Sequence, residues 1–175
     1  MFKGTTNLAE KKDGRTVIAG DGQTSQEHII VKHGAKKVRR LFHDRVVAGF
    51  AGATADALTL FERFEKKLEE YSGNLKRGAV ELAKEWRTDK MLRQLNALLV
   101  VADKESLLTI SGTGDVIEPD DNIVAIGSGG AFALSAAKAL IAHTKMDARQ
   151  IVEASMRIAA NICVFTNDKW TFEEV

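Results

Sequence analysis

The rhythm of apolar and polar positions changes several times along the chain. Val17-Ile18-Ala19, Ile29-Ile30-Val31 and Val46-Val47-Ala48-Gly49-Phe50-Ala51 are β-branched or apolar runs, which predict strands. Asp13-Gly14, Asp21-Gly22 and His43-Asp44 supply turns between them. The run at Val46 is apolar on both faces and so predicts a central, buried strand. From Thr54 to Tyr71 the apolar positions fall at helical spacing, with Thr54 as the expected cap. A second helix is predicted after Gly73-Asn74, carried by Leu75, Ala79, Leu82, Ala83 and Trp86. Strands return at Ala97–Ala102, Leu107–Ser111 and Ile123–Ile126, the first two followed by the turn Gly112-Thr113-Gly114-Asp115. Two further helices, about Ala131–His143 and Asp147–Ile162, precede a last strand near Val164-Phe165. Helices that come in pairs argue against alternating βαβ units. They predict an α+β domain in which helix pairs cover packed antiparallel sheets.

Length and composition narrow the function classes. The 175 residues suffice for one compact domain. A net charge of +1 argues against binding nucleic acid through bulk electrostatics. One cysteine, Cys163, excludes an internal disulfide framework and any Cys-rich zinc module, and it suits a reducing, cytoplasmic setting. No apolar stretch approaches the roughly 18 residues needed to span a bilayer, so no membrane partner is expected. The start, Met1-Phe2-Lys3-Gly4, has no apolar core and does not read as a secretory signal.

The candidate chemistry is sparse when residues are taken one at a time. Gly127-Ser128-Gly129-Gly130 joins a strand to a helix, either as a turn needing glycine or as an anion site made of backbone N–H groups. No Gly-Lys-Ser/Thr follows, so it is not a nucleotide-binding P-loop. Lys36-Lys37-Val38-Arg39-Arg40 is the densest basic run and reads first as a solvated strand edge. One of its lysines, buried beside a nucleophile, would depress a neighbouring pKa. His28, His33, His43 and His143 have no metal-ligand spacing. Asp21 reads as a turn aspartate and Cys163 as a core residue. Thr5-Thr6 stands just before a first strand. A threonine hydroxyl needs a base, and an α-amine with a pKa of about 8 on the same residue is one. Removal of Met1–Gly4 would create that arrangement.

Taken together, several segments resemble the HslV (ClpQ) family, peptidase subunits of bacterial HslUV-type proteases and relatives of proteasome β subunits. The matching residues are Gly4-Thr5-Thr6, Ala19-Gly20-Asp21-Gly22-Gln23, Ala35-Lys36-Lys37-Val38-Arg39-Arg40-Leu41 and the segment from Ala48 to Ala57. Val80–Asp89, Ser111–Val116, Ala125–Gly130 and Ile162–Asn167 continue the match in order. The resemblance implies a four-layer αββα sandwich of the N-terminal nucleophile hydrolase type. It implies a short propeptide, residues 1–4, and one peptidase domain over residues 5–175. Thr5 matches the nucleophile, Lys37 the lysine that favours the neutral amine, and Asp21 the acid that holds that lysine. Ser128 matches a serine near the amine, and Gly49 matches the backbone donor of the oxyanion site. Ala160, Cys163 and Thr166 match positions whose carbonyls bind a sodium ion. The implied assembly is a dodecamer of two stacked hexameric rings fed with unfolded proteins by an HslU-type AAA+ ATPase, which would bind the nucleotide in place of this chain.

The chain departs from the family pattern at Asn7 and Glu10, where aliphatic residues are usual in the first strand, at Glu27 and at Ala131-Phe132. Alternation puts Asn7 on the face of Thr5 and Glu10 on the opposite one. These departures leave a second reading open, a ring-forming paralogue with weakened catalysis that binds the ATPase.

Overall fold

The computed structural model describes residues 2–175, and Met1, the first residue of the expected propeptide, lies outside them. Three antiparallel sheets form. A four-stranded sheet joins β2 (Thr6–Lys12) and β3 (Arg15–Gly20), with β11 (Ile123–Gly127) beside β2 and β12 (Thr171–Glu174) beside β3. A five-stranded sheet runs β10 (Val116–Ile117), β9 (Leu107–Ser111), β8 (Leu98–Ala102), β7 (Val46–Ala51), β6 (Val38–Leu41). A small third sheet runs β1 (Phe2–Lys3), β4 (Thr24–Gln26), β5 (Ile29–Lys32).

The two main sheets stack face to face through Ala9, Ile18, Val38, Val47, Val100 and Ile126. Helices α1 (Thr54–Glu70) and α2 (Leu75–Thr88) cover the outer face of the five-stranded sheet, burying Phe64, Leu82 and Trp86 against Val46, Leu99 and Ile110. On the other side, α3 (Gly130–His143) and α4 (Ala148–Ile162) pack Ala133, Ile151 and Met156 onto Leu8, Val17 and Ala19. Layers therefore alternate helix, sheet, sheet, helix, as the paired helices predict. In β7 both faces are buried, one by α1 and one by the other sheet, which is why its pattern does not alternate.

Local signals agree in most places. Asn74 caps α2 through its side chain, which accepts from the Arg77 amide at 3.0 Å, and Asp147 with Gln150 forms a capping box at α4. Two expectations fail. Thr54 is the first residue of α1 rather than its cap, and Ala53 holds the cap position without a side-chain bond. Val164-Phe165 is not a strand. The chain turns there, with the Thr166 amide on the Cys163 carbonyl at 3.1 Å, and the last strand is β12.

Candidate active site

The two sheets meet at one end around Thr5, which precedes β2 and is almost wholly buried. Its hydroxyl donates to the carbonyl of Gly4 at 2.5 Å. That same carbonyl accepts a second bond at 2.5 Å from Lys37 Nζ. Lys37 stands just before the edge strand β6, so the basic run divides: Lys36, Arg39 and Arg40 face solvent while Lys37 turns inward. Arg40 pairs outward with Glu173 at 2.6 Å.

Asp21, with no exposed surface, organises the buried end. Its Oδ1 accepts from Lys37 Nζ at 2.8 Å and from the Thr6 amide at 2.7 Å. The Oδ2 atom takes the Gln23 amide at 2.9 Å and the Asn167 amide at 3.4 Å. Lys37 completes its shell on the Gln23 carbonyl at 2.5 Å. Burial draws the Lys37 pKa below its ordinary 10.5, and the Asp21 carboxylate opposes that shift. All three lysine protons thus meet acceptors, and one of those is the carbonyl joined to Thr5. Asp21 ties the lysine and the backbone of the nucleophile segment to one carboxylate.

Gly127 closes the far side. Its φ is +94° and a Cβ there would fall 2.1 Å from the Thr5 carbonyl, so only glycine lets β11 come this near. The turn it opens is spent on structure. The Gly129 amide donates to Thr6 Oγ1 at 3.0 Å, and Thr6 Oγ1 also shares a 2.6 Å bond with Thr166 Oγ1. That N–H is therefore not left for an anion. Ser128 stays exposed and lines a cavity of about 420 Å³ together with Thr5, Gly52, Asp56 and Asn96.

A second cavity of about 230 Å³ lies on the other side of Thr5, between β7 and α1. Phe50, Ala57, Leu58 and Phe61 give it an apolar wall, and Lys32, Lys36 and Arg39 stand around it. Phe50 and Phe61 meet edge to face at 6.2 Å. Gly49 lines neither cavity. It lies in mid-strand opposite Val38 and Val100, whereas Gly52, just past β7, borders both. Sequence reasoning missed Gly52. Its signal was position, as the first glycine after the buried strand.

Thr5, Asp21, Lys37 and Ser128 therefore gather at one place, from four separated segments. Ala160, Cys163 and Thr166 lie at the end of α4 and the turn after it, and Thr166 adjoins the first group through Thr6. Ala160 is in the last turn of α4, Cys163 is its C-cap, and Thr166 closes the turn that follows. Among the described residues no cluster of His, Cys, Asp or Glu has the makings of a metal site, and no helix is long and apolar enough to cross a membrane.

Comparison with known proteins identifies the family. The model of the proteasome-subunit family matches residues 1–175. The ATP-dependent protease subunit HslV of Syntrophobacter fumaroxidans is 62% identical over 175 residues, covering 100% of this chain and 98% of that protein. The crystal structure of eukaryotic HslV from Trypanosoma brucei superposes with a TM-score of 0.92 at 50% identity, over 97% of this chain and 98% of the other. Thiobacillus denitrificans BPH in complex with epoxomicin shares the fold, with a TM-score of 0.73 at 19% identity over 97% of each chain. The chain belongs to the proteasome-subunit family of threonine peptidases, in its HslV group.

Proposed function

We propose that Thr5, freed by loss of residues 1–4, is the nucleophile of a peptidase that works within an ATP-dependent protease. The observation that carries this reading is the double hydrogen bond on the Gly4 carbonyl, from the Thr5 hydroxyl and from Lys37. The bond between Gly4 and Thr5 lies where a nucleophile and a cation already converge. Once it is cut, the Thr5 nitrogen becomes an amine and so a base for its own hydroxyl. The hydroxyl attacks the substrate carbonyl carbon while the amine takes its proton. The amine then returns that proton to the leaving nitrogen, and water releases the acyl group from Thr5. Lys37, held by Asp21, keeps positive charge beside the amine and the developing alkoxide. Ser128, at the rim, is assigned to hydrogen bonding with the amine. The resemblance puts the oxyanion donor at Gly49, whereas the cavity lining favours the backbone around Gly52.

The apolar wall of the smaller cavity fits an apolar side chain on the residue before the cut. Buried as it is, Thr5 suits extended, unfolded segments better than folded surfaces. The remaining assignments follow the family resemblance: a cytoplasmic dodecamer of two stacked hexameric rings, an HslU-type AAA+ ATPase that binds the nucleotide and delivers unfolded proteins, and a sodium ion on carbonyls of Ala160, Cys163 and Thr166. The end of α4 suits a cation, because a helix terminates on carbonyls without intrahelical donors and on the negative end of its dipole.

Replacement of Thr5 by alanine tests the reading. Thr5→Ala is expected to abolish peptide hydrolysis and to keep residues 1–4 attached, while rings still assemble by size-exclusion chromatography. Peptide hydrolysis by pure Thr5→Ala protein would refute the nucleophile.

A further inference from the structure

Asn7 stands two residues after Thr5, on the face of β2 that looks across to the five-stranded sheet, and it has no exposed surface. A buried amide weakens a fold unless it is bonded. Here the bonding is lopsided. Nδ2 donates to the Phe50 carbonyl at 2.6 Å, and Oδ1 has no partner among the described residues. The bond crosses from one sheet to the other, and it lands where the pairing of β7 with β6 ends, while its pairing with β8 continues through Ala51. The Phe50 amide makes its bond to the Lys37 carbonyl, at 3.2 Å, one residue before β6 begins. Beyond that point β7 ends at Ala51, and Gly52 after it borders both cavities at Thr5.

Two glycines make room for the amide. A Cβ at Gly20 would fall 2.4 Å from Asn7 Oδ1, and one at Gly49 would fall 3.3 Å from Cγ. The side chain is thus gripped between the sheets, and its one bond points at the wall of the site. An aliphatic residue of the same outline would fill that space without the incomplete pairing of Oδ1, but it has no donor for Phe50.

We propose that Asn7 is a positioning residue of the peptidase site, whose amide N–H fixes the end of β7, and with it Phe50 and Gly52, relative to the nucleophile. This rests on Thr5 as nucleophile. Asn7 touches no substrate in this account and acts only through the Phe50 carbonyl.

Two variants of nearly unchanged shape separate positioning from packing. Asn7→Leu removes the donor. Asn7→Asp donates only while its carboxyl is protonated. Both are assayed as assembled protein with two fluorogenic peptides, one carrying Leu and one Ala before the reporter. Asn7→Leu is expected to lose about tenfold in kcat/KM on the Leu peptide, the rate equivalent of one net hydrogen bond, and less on the Ala peptide, without a lower melting temperature. The kcat/KM of Asn7→Asp, relative to the parent protein, is expected to fall as pH rises through the new carboxyl's ionisation. Should Asn7→Leu fail to assemble, Asn7→Asp and Asn7→Ala, neither larger than asparagine, carry the same comparison. Asn7→Leu within twofold of the parent on both peptides, or an Asn7→Asp pH profile parallel to the parent's, would overturn the proposal. Activity in Thr5→Ala would instead overturn the reading beneath it.

Discussion

Among the described residues, Glu10 is the one carboxylate that the fold buries without a cation of its own. It lies in β2 opposite Val17 and Ile123, on the face that packs against α3 and α4, and it is 2% exposed. Its Oε2 has no partner among the described residues. Burial pushes its pKa from 4.5 to about 7, Lys12 pulls it back in part, and Asp147 and Asp13 add to the rise. Lys12 is already engaged, since its Nζ donates to the Met146 carbonyl at 2.6 Å. The sign of the stability effect follows from proton uptake. Between pH 4.5 and about 7 the unfolded chain gives up this proton while the folded chain keeps it, so stability falls as pH rises through that window. Above it the loss levels off at about 3 kcal/mol, from about 1.4 kcal/mol per pKa unit. That is a large share of a typical domain's net stability.

Glu10→Gln keeps the shape and removes the titration. Thermal and urea unfolding of both proteins, at matched concentration, give the difference at each pH, in which titrations common to the two cancel. The variant is expected to gain about 2 to 3 kcal/mol more over the parent at pH 8 than at pH 5. An equal difference at the two pH values, or a larger gain at pH 5, would show that folding does not raise the proton affinity of Glu10.

Two further outcomes test the site. Lys37→Met leaves the Asp21 carboxylate buried without its ion-pair partner, so a loss of about 3 to 5 kcal/mol in unfolding is expected along with loss of peptide hydrolysis; a stable, active variant would remove Lys37 from the mechanism. Gly127→Ala forces a Cβ against the Thr5 carbonyl at a left-handed φ, and a lower melting temperature together with at least about tenfold lower kcat/KM is expected; parent-like values for both would show that the close approach is not needed.

The helices were the legible part of the fold. Each of α1, α2 and α4 buries one stripe, and their ends lie close to those that periodicity predicts. Edge strands were harder. β12 reads Thr-Phe-Glu-Glu and is only half buried, so its membership of a sheet comes from pairing with β3 and not from an apolar pattern. β6 reads Val-Arg-Arg-Leu, where solvent takes the two arginines. Within the site, no spacing rule joins Thr5, Asp21, Lys37 and Ser128, because the sheets bring them together from separate segments. The family resemblance supplied that grouping. It did not supply Gly52 or the bond of Asn7 to Phe50, since both depend on where the pairing of β7 with β6 ends. Glu10 was visible as an anomaly, but its burial beneath α3 and α4 needed the packed layers.

In the proposed mechanism Thr5 works only as the first residue of the chain. Intact-mass measurement and N-terminal sequencing of the purified, active protein test it most directly. The expected chain begins at Thr5 and loses activity when that amine is acetylated. Full activity from a chain that still carries Gly4 would contradict it.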